Sequence, residues 1–321
     1  MILITGGTGF IGQTLTRQLV EAGYPVRMLI RPSPDSPNLP HGISVEIAVS
    51  SLNDPRGLRA AMAGVDAVYH LAGTERLGPH AKLLEVDIQG TLAVVQAAAE
   101  TGVDRLFTLS HLGADRSSAY PVLKTKGIAE EHVRRSGLDF TIIRTAPVFG
   151  PGDTFTSGIA TLLHAAPFVF LIPGDGRSLI QPIWVEDLAT CLVWALEDER
   201  TRQQTFEVGG PEYITFRQSV NAIMTTLGIE KRLASVRPPY LRGLTLFLET
   251  MFPVLPVSVF WIDYLAVNRT CPLDTVPRTF GLLPSRFPSK LDYLKEVNWR
   301  RVLWQSFIRR KPTKKNVKRE T

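Results

Sequence analysis

The sequence predicts an α/β fold, a doubly wound parallel sheet with a smaller, mostly helical C-terminal lobe, and three observations predict it. The chain opens on MILITGGTGFIG, in which residues 1–4 are apolar and β-prone, glycines follow at 6, 9 and 12, and Ile11, Leu15, Leu19 and Ala22 then recur at helical spacing. Further short apolar runs alternate with helical patterns as far as Arg144, the rhythm of strands joined by crossover helices. Beyond Pro147 the alternation loosens. The 321 residues, 44% hydrophobic, suffice for one large unit or two interleaved ones, divided here into 1–150, 151–296 and a tail 297–321.

The opening stretch reads as strand, glycine turn, helix. Gly6 permits the tight turn, Gly9 lets the backbone approach a pyrophosphate, and Gly12 lets helix and strand pack closely, while the helix N-terminus offers free N–H groups to phosphates. These are the features of a Rossmann dinucleotide site, and they nominate Gly6, Thr8, Gly9, Phe10, Ile11 and Gly12 as its phosphate cradle. The second strand, 25–30, ends in Arg31. An acid there binds the adenosine ribose, whereas an arginine suits a 2′-phosphate, so Arg31 favours NADP(H) and leaves NAD(H) open. The proline-rich 31–40 is a loop.

Residues 45–49 form the third strand, 55–63 a helix, 67–71 the fourth strand, 82–100 a long helix, 106–110 the fifth strand, 124–136 a charged helix and 140–144 the sixth strand. Ligands of such sheets sit beyond the carboxyl ends of the strands, where the glycine turn, Ala72, Gly73 and Ser110 fall. Residues 146–153 are a loop, and 154–174 contain no Asp, Glu, Lys or Arg, yet Pro167 and His164 argue against a membrane span and for a helix followed by a strand. A helix at 184–196, a strand at 205–208 and a helix at 215–227 follow. The apolar, aromatic 238–267 is broken by Arg242, Glu249, Asp263 and two prolines; it reads as a helical hairpin over the cleft, or else as a surface that docks on a partner or membrane.

Two cysteines, Cys191 and Cys271, far apart, indicate neither a disulfide framework nor a zinc site, and the six histidines lack metal-ligand spacing. No secretory signal precedes the first strand, so the expectation is a cytoplasmic protein. The net charge of +6 is local: residues 297–321 hold nine Lys/Arg and one acid, leaving a net −2 for 1–296. In that tail Trp299, Val302, Leu303 and Phe307 fall near one helical face among Arg300, Arg301, Arg309 and Arg310. This suits peripheral attachment to an anionic membrane surface on its inner face; non-specific attraction to nucleic acid and simple solubility are the alternatives.

With these residues assembled, the chain resembles a short-chain dehydrogenase/reductase of the extended or atypical class, over residues 1 to about 230. GGTGFIG resembles the family's glycine turn, GVDAVYHLAG its fourth-strand motif, RTAPVFGPGD the segment near the nicotinamide, PIWVEDLA an element of the substrate lobe and FEVGGPEYITF the following strand and turn. SHLGAD, LKTKGIAEEHVRRSGLDFTIIR and FGLLPSRF resemble a narrower group, the branch that includes the nucleotide-binding accessory subunit of respiratory complex I. The resemblance implies that Leu52, Leu71, Ala72, Gly73, Lys126, Pro147 and Val148 also contact the cofactor. Ser51 departs from the aspartate that relatives place on the adenine.

For chemistry, the family uses a tyrosine as proton donor, a lysine one helical turn later and a serine on the substrate. Tyr120 and Lys124 match that spacing, with Ser110 as the serine. Pro121 disfavours helix at Tyr120, however, and the Thr125-Lys126-Gly127 context fits the family lysine better, which puts Val122 in the tyrosine position. The favoured reading is therefore an NADP(H)-binding protein with weak or no turnover inside a larger or membrane-associated assembly. The alternatives are an active reductase, epimerase or dehydratase using Ser110, Tyr120 and Lys124, and a regulator attached to nucleic acid by its tail.

Overall fold

The structure, a computed structural model, describes residues 1–34, 36–37, 39–74, 81–251 and 259–308, with 305–308 described through the backbone only. Its centre is a seven-stranded parallel sheet. Strands β1 (Ile2–Thr5), β2 (Val26–Ile30), β3 (Glu46–Val49), β4 (Ala67–His70), β5 (Arg105–His111) and β6 (Asp139–Thr145) are joined at the edge by β11 (Gln204–Val208), in the order β11-β6-β5-β4-β1-β2-β3. The order reverses between β1 and β4, which is where such sheets open a crevice for ligands.

Alternation along each strand serves two cores, as a sheet covered on both faces requires. Ile2 and Ile4 join Leu15 and Leu19 of α1 (Phe10–Glu21) and Leu188 and Leu192 of α6 (Val185–Trp194). Leu3 points the other way, to Leu58 of α2 (Pro55–Met62), Val94 of α3 (Thr91–Thr101) and Val133 of α4 (Pro121–Arg134). The Asp54 side chain caps α2 by accepting from the Arg56 N–H at 3.1 Å, with Pro55 opening the helix.

One predicted helix divides. Residues 82–100, expected as a single α-helix, begin as a π-helical segment, Leu83–Gly90, that runs into α3. Its wider turn brings Asp87 fully inside while Leu84 stays 64% exposed.

The second lobe has its own core. Small pairings of β7 (Val148–Phe149) with β10 (Ile183–Trp184), β8 (Val169–Pro173) with β13 (Arg232–Val236) and β9 (Leu179–Ile180) with β12 (Ile214–Thr215) frame it. Phe155, Ile159 and Leu163 from the start and body of α5 (Thr156–Ala165), Phe216 and Ile223 of α7 (Phe216–Leu227), Phe287 and Trp299 fill it. The uncharged 154–174 is thus α5 and β8, and among the described residues no helix is long and apolar enough to cross a membrane. The stretch 238–267 contains α8 (Pro238–Met251) and α9 (Val259–Tyr264), clasped by Arg242 Nε on Asp263 Oδ1 at 2.9 Å. A further helix, α10 (Thr275–Phe280), packs Val276 and Phe280 back on the first core.

The tail helix α11 (Trp299–Ile308) turns part of its apolar face inward. Trp299 is buried, its indole N–H donating to the Leu294 carbonyl at 2.9 Å, and Val302 packs on the same core. An amphipathic stripe is the same whether it meets lipid or protein; here its first turn meets protein. Arg300, Arg301 and Trp304 remain outside, while the Phe307 side chain, Arg309 and Arg310 lie outside the described residues.

Candidate functional site

A cleft of about 830 Å³ opens beyond the carboxyl ends of the strands. Gly6, Thr8, Gly9, Phe10, Ile11 and Gly12 form one wall, and the N-cap residue of α1, Gly9, has no side chain to cap the helix. The glycines are dictated by contact. Gly6 has φ +75°, and a β-carbon there would stand 2.7 Å from the Ala72 nitrogen; one at Gly12 would stand 2.2 Å from the Gly6 carbonyl oxygen. Turn, helix end and the exit of β4 are therefore packed backbone to backbone, leaving the first N–H groups of α1 to face a phosphate.

Arg31 lines the cleft at the end of β2, and Ser51, Leu52 and Asn53 line it after β3. Among the described residues Arg31 has no ion-pair partner. Leu71, Ala72 and Gly73 follow β4, and Pro147 and Val148 close the wall beyond β6. Every cofactor residue nominated above thus borders one cavity, Lys126 included.

Under this wall lies a buried polar network. The Thr91 hydroxyl donates to the Asp87 carbonyl at 2.7 Å, so it accepts from His70 Nε2 at 3.0 Å, and Nδ1 of the same ring accepts from Thr5 at 2.7 Å. Burial pushes the His70 ring down to about 3, with the Lys126 charge adding to the effect. The Asp87 carboxylate, with no exposed surface, accepts from Lys126 Nζ at 3.1 Å and from the Thr74 hydroxyl at 2.7 Å.

The proposed proton-transfer residues separate. Ser110, at the end of β5, is buried and borders the cleft, and its hydroxyl has no hydrogen-bond partner among the described residues. Tyr120 is the residue before α4, with extended backbone, because Pro121 takes the first helical position. Neither Tyr120 nor the exposed Lys124 is among the residues lining the cleft; Lys126 is.

Residues that sequence reasoning did not nominate individually for the cleft complete the site. Asp153 is buried beside the cleft, where burial raises its carboxyl against bonds from Ser157 N–H at 2.9 Å and the Thr156 hydroxyl at 2.7 Å. Thr74 and Asp87 underlie Lys126, and Phe260, Trp261, Tyr264 and Trp299 supply an aromatic wall. The one sequence signal for Asp87 was an acid inside an apolar helical run. The motif residues outside the cleft brace it: Glu130 holds Arg144 through Nε at 3.0 Å and Nη2 at 2.8 Å, and Asp187 accepts from the Ser285 N–H at 2.6 Å.

A parallel sheet that reverses over a glycine cradle of this shape defines a dinucleotide-binding protein. Residues 6–159 match a family model described as NAD(P)H-binding. The chain is 29% identical over 286 residues to NADH dehydrogenase (ubiquinone) 1 alpha subcomplex subunit 9, mitochondrial, of Arabidopsis thaliana, covering 87% of this chain and 67% of that protein. It is 31% identical over 193 residues to the ceramide reductase of Caulobacter vibrioides, covering 60% of each. The fold superposes on the NADPH-dependent quinone oxidoreductase of Escherichia coli complexed with NADPH with a TM-score of 0.74, at 17% identity, over 92% of this chain and 99% of that one. The chain thus carries an NAD(P)H-binding domain on a Rossmann-like fold and has homologues among complex I accessory subunits.

Proposed function

We propose that the protein is an NADP(H)-binding subunit with weak or no carbonyl turnover, working within a larger, membrane-associated assembly. The observation that carries this reading is Lys126. Its ammonium is held 3.1 Å from a fully buried carboxylate, and the position one helical turn before it is Val122, so no phenol on α4 stands ready to donate a proton. When bound, the dinucleotide supplies or accepts a hydride; the chain's own residues cradle its phosphates and keep water from one face of the cleft.

Arg31 supports NADP(H), because a guanidinium with no ion-pair partner among the described residues is available to a 2′-phosphate. The assembly is supported by α8, whose Tyr240, Leu244, Phe247 and Met251 form an exposed apolar stripe at helical spacing while Leu241, Thr245 and Glu249 face inward. The Arabidopsis relative is named as an NADH dehydrogenase subunit, which fits such a surface. The basic end of the chain fits an anionic membrane on its cytoplasmic face. A second reading, an active reductase using Ser110, Tyr120 and Lys124, draws on the buried Ser110 hydroxyl in the cleft.

Titration with NADPH and NADH, followed by cofactor fluorescence and then by mixing with carbonyl compounds, tests both. The expected result is NADPH binding at least about tenfold tighter than NADH, a preference that Arg31→Ala removes, since a hydrogen bond to a charged group contributes roughly 1.5–3 kcal/mol. Bound NADPH should persist. Its rapid oxidation by a carbonyl compound would overturn the reading in favour of the reductase.

A further inference from the structure

Three helices of the second lobe give their inner faces to the cleft: Glu249 lines it from α8, Phe260 and Trp261 from α9, and Trp299 from α11. The first of them, α8, is divided along its length. Leu241, Thr245 and Glu249 are buried, whereas Tyr240, Leu244, Phe247 and Met251 recur on a different side with exposures of 71%, 40%, 57% and 59%. Leu246, 44% exposed, widens that outer face. At 1.5 Å per residue the stripe runs about 16 Å, and a continuous apolar surface of this kind marks a place of contact.

The charges of these helices are sorted by sign. Both carboxylates, Glu249 of α8 and Asp263 of α9, are buried, and the second holds Arg242 Nε at 2.9 Å across the contact between the two helices. The exposed charges are arginines: Arg242 itself, Arg237 just before α8, and Arg300 and Arg301 in the first turn of α11. Arg232 is exposed on β13, the strand that leads into α8, and the sequence beyond α11, 309–321, holds seven Lys/Arg and one Glu. An apolar stripe with cations beside it and no outward acid matches an anionic lipid surface. It disfavours a second copy of this chain, because a two-fold contact would set the arginines of one copy against those of the other.

We propose that the outer face of α8 lies in the surface of an anionic bilayer, with Leu244, Phe247 and Met251 among the acyl chains and Arg237 and Arg242 at the headgroups. The proposal rests on the membrane-associated reading above and deepens it by naming lipid as what α8 meets. Because the inner face of the same helix is a wall of the cleft, α8 then stands between the cleft and the bilayer.

The test uses the full chain with vesicles of phosphatidylcholine, alone or mixed with phosphatidylglycerol. Cys191 and Cys271 are buried, so the cysteine of Phe247→Cys takes an NBD label selectively, and Ala60→Cys, at an exposed position of α2, is the control. The expected result is that wild type sediments with the mixed vesicles in preference to phosphatidylcholine alone, and that Phe247→Glu weakens this by at least about tenfold at unchanged melting temperature and NADPH affinity. The label at position 247 should shift to the blue and be quenched by brominated acyl chains, and the label at position 60 should not; if Phe247→Glu lowers the melting temperature, the labels decide. Vesicle binding that Phe247→Glu leaves unchanged, a label at position 247 that stays in water, or a dimer that Phe247→Glu dissociates would each overturn the proposal. Salt-sensitive binding that ignores Phe247→Glu sinks only the role of α8 and leaves the basic end of the chain holding the membrane, whereas no binding to either vesicle sinks the membrane-associated reading as well.

Discussion

His70 gives the molecule an acid limit that can be measured. The ring is fully enclosed between Thr5 and Thr91, and burial lowers it from the ordinary 6.5 to about 3. As pH falls through 6.5 the unfolded chain takes up a proton there and the folded chain does not, so the unfolded state is favoured. This contribution to stability is therefore whole above pH 6.5 and lost below it, at about 1.4 kcal/mol per pH unit, until the folded ring itself titrates. By pH 5 the loss amounts to about 2 kcal/mol. His70→Gln has no proton to take up: it starts less stable, having given up its ring bonds, but loses less on acidification. Urea unfolding of both proteins between pH 7.5 and 5, followed by circular dichroism, should show wild type losing about 2 kcal/mol more than the variant. Parallel pH profiles would refute the idea that the ring is kept neutral by its burial.

Two further perturbations act on the same wall. Gly12→Ala places a β-carbon 2.2 Å from the Gly6 oxygen, so it should cost about 1–3 kcal/mol by overpacking and abolish saturable NADPH binding in a fluorescence titration. Asp87→Asn takes from the Lys126 ammonium, 11% exposed, the carboxylate that stands 3.1 Å away. It should cost about 3 kcal/mol by urea unfolding, and adding Lys126→Met should recover most of the loss; no recovery would mean that the pair is not coupled.

What the sequence disclosed follows from how locally each feature is determined. A glycine turn between an apolar strand and an amphipathic helix is local, and residues 1–12 therefore declared both the turn and its place in a parallel sheet. Leu52, Leu71 and Pro147 were named through the family resemblance, and they line the cleft because they follow strand ends, which converge in a doubly wound sheet. Pro121, whose ring fixes where the helix begins, and the Thr125-Lys126-Gly127 context together favoured Lys126 over Lys124, and of the two Lys126 lines the cleft. Asp87 was not, since an extra residue in one helical turn leaves the apolar pattern almost unchanged while redirecting a side chain. Tyr264 and Trp299 reach the cleft only through the packing of the lobe. For Trp299 and Val302, helical periodicity identified the apolar face correctly but did not say that protein, rather than lipid, would cover it.

The position of β11 has a consequence for how the chain is made. Its pairing partner β6 ends at Thr145, whereas β11 begins at Gln204, roughly 60 residues later. At a synthesis rate of about 5–20 residues per second, the outer edge of β6 waits roughly 3–12 seconds for the strand that covers it. During that interval the nascent sheet ends in Phe140, Ile142 and Ile143 on an unpaired, β-prone strand, the kind of edge on which chains join one another. The last strand of the sheet is thus also its guard, and a ribosome that stalls within the lobe leaves the nascent sheet open to aggregation.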